Sequence, residues 1–152
     1  MTPTTIDRDR ETTNRDSSEF DEWIITAYYS PDFTKRVGAE LDRLMALAPN
    51  WDSYGAQRID AQIVHAAHDF LSRLPENLVA PPLVVPMAKG NLQFEWHEGS
   101  RSLELEFESP TTIHYLKWHP EEGVEEEGFF AADDVSQAVA FIRWFVKGVA
   151  NV

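Results

Sequence analysis

This chain of 152 residues predicts an α+β fold, with helices packed on one face of an antiparallel meander of about four strands. Three observations carry that expectation. Apolar residues recur every three or four positions over 32–48, 60–74 and 135–149, the period of a helix buried on one side. Between residues 83 and 131 the period drops to two, as in strands with one face buried and one wet. Turn-forming residues interrupt that stretch at short intervals, so the strands follow one another directly.

The elements follow in order. Residues 1–18 are Thr, Asp, Arg, Asn and Ser with almost nothing apolar, so they are expected to be a disordered polar tail ahead of one domain over 19–152. Phe20, Trp23, Ile24, Ile25, Tyr28 and Tyr29 form an apolar patch, expected as a short helix broken at Ser30-Pro31. A helix over 32–48 starts at Asp32, carries its apolar stripe on Phe33, Val37, Leu41, Leu44 and Leu47 or Ala48, and stops at Pro49. A second over 60–74 is capped by Asp60, buries Ile63, Val64, Ala67, Phe70, Leu71 and Leu74, and ends before Pro75. Leu83-Val84-Val85 is a short strand candidate and Lys89-Gly90-Asn91 a turn. Leu92, Phe94 and Trp96 then alternate with polar residues. After Glu98-Gly99-Ser100-Arg101, so do Leu103, Leu105 and Phe107. Ser109-Pro110-Thr111 turns into a strand through Ile113 and Tyr115, and Val124–Ala131 forms the next. Asp133 or Asp134 caps a last helix whose stripe runs from Val135 through Ala138, Ile142 and Phe145.

Composition removes whole classes of chemistry. No cysteine is present, which excludes disulfides, thiolate nucleophiles, cysteine-bound zinc and iron–sulfur clusters. No apolar run approaches the ~20 residues of a membrane helix. The formal net charge of −13 opposes binding to nucleic acid or an anionic membrane, both of which need clustered cations. That charge is concentrated. Residues 95–127 hold ten of the 26 acids and two of the 13 bases, and this is the strand region.

A two-residue loop at Gly99-Ser100 sets the hairpin register. Trp96 then opposes Leu103 and Phe94 opposes Leu105, so the apolar faces agree. The same register sets Glu95 against Glu104, and a three-residue turn at 109–111 sets Glu106 against His114. Like charges directly opposed cost a few tenths to about 1 kcal/mol. The predicted wet face carries Glu95, Glu104, Glu106, His97 and His114. Three roles fit it: a solvated acidic face, a landing site for an Arg- or Lys-rich surface, and a divalent-metal or acid–base site. Metal ligands need converging side chains and supporting partners, which a flat open sheet does not supply.

Asn50-Trp51-Asp52-Ser53-Tyr54-Gly55-Ala56 lies between the first two helices. Gly55 permits a positive φ, and Asn50 or Asp52 can accept from nearby backbone N–H groups. Trp51 and Tyr54 either fold back on the core or form an aromatic binding lip with Asp52 as its polar handle. His65 and His68 stand three apart on the second helix beside Asp69, but without H-E-x-x-H. No serine sits in G-x-S-x-G, and no glycine-rich phosphate loop is present. Together with Gly90-Asn91-Leu92-Gln93-Phe94-Glu95-Trp96, the loop resembles the signature of a group of small bacterial proteins, W-D-x-Y-G-A followed by G-x-x-x-x-E-W. The likeness spans roughly residues 45–130. It implies a bacterial, cytoplasmic origin and marks Trp51, Asp52, Tyr54, Gly55, Ala56, Glu95 and Trp96. It implies no reaction.

The sequence therefore points to a non-enzymatic acidic protein that engages a basic protein partner, in the manner of an antitoxin, immunity protein or inhibitor. Occupying a cationic groove as a nucleic-acid mimic is a variant of that reading. Glu95, Glu104, Glu106 and a Glu125, Glu126, Glu127 tip would supply charge; Trp51, Tyr54 and Trp118 would supply anchors, with Asp52 beside them. No cofactor, catalytic residue or metal ligand is expected, nor is nucleic-acid or membrane binding. Two alternatives remain: a small metal-dependent hydrolase using Glu95, Glu104, His97 and His114, and a self-assembling subunit.

Overall fold

A computed structural model describes residues 33–75 and 81–150. The expected tail over 1–18, the short helix after it and the Asp32 cap lie outside the described residues. Helix α1 spans Phe33–Met45 and α2 spans Ala61–Arg73. Five strands follow: β1 Leu83–Pro86, β2 Leu92–Glu98, β3 Arg101–Phe107, β4 Thr112–His119 and β5 Val124–Ala131. A 3-10 turn at Pro120–Glu122 links β4 to β5, and α3 spans Val135–Ala150. The sheet is an antiparallel meander in the order β1-β2-β3-β4-β5. It has five strands rather than about four, because Leu83–Pro86 pairs along β2 and forms an edge. Pro86 at its end lacks a ladder donor, which suits an edge position.

The caps follow from side-chain chemistry. Asp60 accepts from the Gln62 N–H at 2.8 Å and starts α2. Asp134, rather than Asp133, accepts from the Gln137 N–H at 3.2 Å and starts α3. The expected register holds throughout: Glu95 faces Glu104, Trp96 faces Leu103, and Glu106 faces His114.

Alternation then sorts the strand residues onto two faces. The inner one carries Leu92, Phe94 and Trp96 of β2, Leu103, Leu105 and Phe107 of β3, and Ile113 of β4, all buried. They join the apolar stripes of the three helices in a single core. Phe70 of α2 meets Phe94 and Phe107 at ring-centroid distances of 6.1 and 5.5 Å. Truncating such a buried ring costs about 3–5 kcal/mol.

Two cations also face inward. Arg101 is buried with its guanidinium 4.5 Å from the Trp144 ring centroid of α3. Its Nη1 donates to the Trp144 carbonyl at 2.8 Å and its Nη2 to Glu122 at 2.9 Å. Gly148, one turn further along α3, leaves the space that this guanidinium fills; a Cβ there would collide with it. Lys117 Nζ lies 4.8 Å from the Trp144 ring centroid and 3.3 Å from Glu126. The last helix is thus pinned by cations lying over aromatic rings as well as by apolar contact.

Candidate functional site

The outer face of the sheet is what remains. Across the strands its rows read Leu83–Glu95–Glu104–Leu116–Glu127 and Val85–Gln93–Glu106–His114–Phe129. On one side of these stands His97–Ser102–Trp118–Glu125, and on the other Glu108 follows in phase on the chain leaving β3. Six glutamates therefore point outward: 95, 104, 106, 108, 125 and 127. The only Lys and Arg in the five strands, Arg101 and Lys117, point to the helix side.

The face is less wet than its composition implies. The Glu95 and Glu106 side chains are only 20% and 16% exposed, and that of His114 only 25%. Gln93 is buried between carboxylates: its Nε2 donates to Glu95 at 2.7 Å, and it also hydrogen-bonds Glu104. His97 Nε2 lies 3.0 Å from the other Glu95 oxygen. Burial, then the charge of Glu95 opposite, raises the Glu104 carboxyl above its ordinary value. Exposed apolar groups border the carboxylates, with Trp118 at 39%, Phe129 at 66% and Leu83 at 63%.

The expected site residues divide. Glu95, Glu104, Glu106, Glu125, Glu127 and Trp118 come together on this face. Glu125, Glu126 and Glu127 form no tip, because they lie within β5. Glu126 stands on the opposite face, where it accepts from the Tyr115 hydroxyl at 3.0 Å and pairs with Lys117. The strand period forces that split. Phe129 and Glu108 were missing from the expected site, although both stand in phase with its other members.

Trp51, Asp52 and Tyr54 lie elsewhere, in the α1–α2 loop. Asp52 Oδ1 accepts from the backbone N–H groups of Tyr54 and Ala56 at 2.8 and 3.0 Å, which holds its carboxyl below the ordinary value. Asn50 Oδ1 accepts from the Gly55 N–H at 2.7 Å. Trp51 Nε1 donates to the Gln57 carbonyl at 3.0 Å. These side chains build the loop itself. Asn50, Ser53 and Gly55 take positive φ values of 65°, 66° and 91°, which local bonding to Asn and Asp sustains. Tyr54 does not fold back on the core; it is 93% exposed.

The loop runs on into the turn before β2. The Gln57 N–H donates to Ala88 and the Asp60 N–H to Gly90, at 2.9 and 2.8 Å. A Cβ on Gly90 would come within 2.9 Å of the Arg58 carbonyl, so only glycine allows this approach. The two halves of the W-D-x-Y-G-A and G-x-x-x-x-E-W pattern thereby meet. A groove of about 600 Å³ opens there, lined by Arg58, Asp60, Lys89, Asn91 and Glu108 among others.

His65 and His68 do not converge on a shared site: His68 Nε2 lies 2.9 Å from Asp42 of α1. The one set of metal-capable side chains among the described residues is Glu106, Glu108 and His114, whose ligand atoms lie within 4.8 Å of one another. No described helix is long and apolar enough to cross a membrane. No family model, curated protein or solved structure matches the chain.

Proposed function

We propose that this chain is a non-enzymatic acidic binding protein that docks a basic protein partner on the outer face of its sheet, as an antitoxin, immunity protein or inhibitor does. The observation that carries the reading is the sorting of charge. Both strand cations turn inward under α3, while six glutamates turn outward with no Lys or Arg among them. Stability alone does not favour this. Glu95 against Glu104 is a cross-strand pair that a neutral residue would improve. A local rule broken without structural gain is where function is expected.

A cationic partner relieves that repulsion. Charge of one sign over a face steers association, and half-buried carboxylates are partly desolvated already, so less is lost on contact. Trp118 and Phe129 at the border supply the aromatic anchors that concentrate binding energy. Tyr54 is presented from a separate, rigid loop and serves as a second contact. The bacterial, cytoplasmic setting belongs to the same proposal and rests on the W-D-x-Y-G-A likeness.

The test is affinity capture from a lysate of the cells that make the protein, with salt-gradient elution, run for the native chain and for Glu104→Lys/Glu106→Lys. The expected result is a basic protein that leaves the native chain at moderate salt and is not retained by the variant. Equal retention by both chains would overturn the proposal.

A further inference from the structure

We propose that Glu106, Glu108 and His114 form a binding site for one divalent transition-metal ion of the Mn2+ or Zn2+ type. This goes beyond the partner reading and does not depend on it.

The topology supplies the convergence. Glu106 and Glu108 stand two apart along the chain and so share a face. His114 lies directly opposite Glu106 on β4. Their ligand atoms fall within 4.8 Å of one another. Two ligands on one ion, each about 2.1 Å from it, lie at most about 4.2 Å apart. Three ligands that share one ion in tetrahedral or octahedral geometry stand about 3.0–3.4 Å apart, so the set must close by up to about 1.4–1.8 Å; Glu108 is exposed and free to move.

Three surrounding contacts orient the donors. Asn91 Nδ2 donates to Glu106 Oε1 at 2.8 Å, which leaves Oε2 for the ion. Glu106 Oε2 stands 4.0 Å from His114 Nδ1, too far for a hydrogen bond, and a shift of about 0.6–1 Å brings the two to the spacing of adjacent ligands on one ion. His114 Nε2 lies 3.3 Å from Glu127 Oε2. A proton held there by the carboxylate leaves the Nδ1 lone pair facing Glu106. A carboxylate behind the imidazole is the usual support of a metal-bound histidine. The His114 ring is also fixed by Phe129, with centroids 4.9 Å apart.

An independent observation comes from Asn91. It is 4% exposed, and its Oδ1 has no hydrogen-bond partner. A buried carbonyl oxygen left unpaired is unfavourable. Here the amide that carries it is turned onto Glu106, and Asn91 and Glu108 line the same groove, which gives an ion or its bound water a way in. The donors are two carboxylates and one imidazole. Carboxylates alone favour Mg2+ or Ca2+, whereas the imidazole shifts preference to Mn2+ and Zn2+.

The experiment titrates the full chain with MnCl2 and with ZnCl2 by calorimetry, and maps Mn2+ by paramagnetic broadening of backbone amide signals. The expected result is one ion per chain, with broadening centred on residues 106–108 and 112–116. Glu108→Gln and His114→Gln should each weaken binding at least tenfold, Glu127→Gln should weaken it by a smaller factor, and His65→Gln should leave it unchanged. Glu108 is exposed, so its variant keeps the fold even if that of His114 does not. No stoichiometric binding of either metal, broadening centred elsewhere, or affinity indifferent to Glu108→Gln would overturn the proposal.

Discussion

At the scale of single residues, Glu104 shows what the outer face costs. Its carboxyl is raised by burial and by Glu95, so the folded chain releases that proton less readily than the unfolded chain does. The sign follows. Glu104 opposes folding at neutral pH, and the penalty lifts as pH falls through its raised folded value toward the ordinary 4.5. Glu104→Gln should therefore stabilise the protein at pH 7 by a few tenths to about 1 kcal/mol in low salt. The gain should vanish near pH 4 and shrink in high salt. Thermal unfolding at the two pH values checks this; a variant less stable than the native chain at pH 7 would show that Glu104 is held by attraction instead. The same residue makes partner binding the more demanding test, since the substitution that strengthens the fold should weaken the complex.

At the scale of elements, much was legible because strand chemistry is local. A two-residue loop and a period of two place Glu95 against Glu104 and Glu106 against His114. The phase also carries Arg101 inward with Leu103, Lys117 inward with Tyr115, and Glu126 away from Glu125 and Glu127. The expected acidic tip ignored that phase, and the structure corrects it. What the pattern could not show is what lies over the inward cations. Arg101 meets Trp144 and Gly148, more than forty positions away, and local sequence says nothing of such a meeting. The latch has a measurable weight. Arg101→Met removes the hydrogen bonds to Trp144 and Glu122 and one cation over the Trp144 ring. It should cost about 2 kcal/mol in urea unfolding. The partly exposed Glu122 is left in water, which limits the loss. A change under about 0.5 kcal/mol would mean that α3 is held by apolar packing alone.

At the scale of the molecule, three helices cover one face of the sheet and the six glutamates occupy the other. The fold class was legible from periodicity, and Leu83–Val85 was legible as a short strand candidate; its pairing with β2 makes the sheet five strands rather than about four. The candidate site was legible as a charged face but not as a built one. Its low exposure, the Asn91 and Gln93 hydrogen bonds and the approach of the α1–α2 loop to Gly90 all depend on contacts between distant segments. Gln93 and Asn91 are buried beside the carboxylates of this face.

The central claim is that this face meets a cationic partner. It is tested most directly by measuring the association rate of the native chain with its captured basic protein across ionic strength. Long-range attraction between exposed charges is screened over about 10 Å at 0.1 M salt. The account predicts an on-rate that falls at least tenfold between 0.02 and 0.5 M salt, on the order expected of electrostatic steering. In Glu104→Lys/Glu106→Lys that dependence should flatten. A native on-rate indifferent to salt, or a dependence unchanged by the double substitution, would contradict the account.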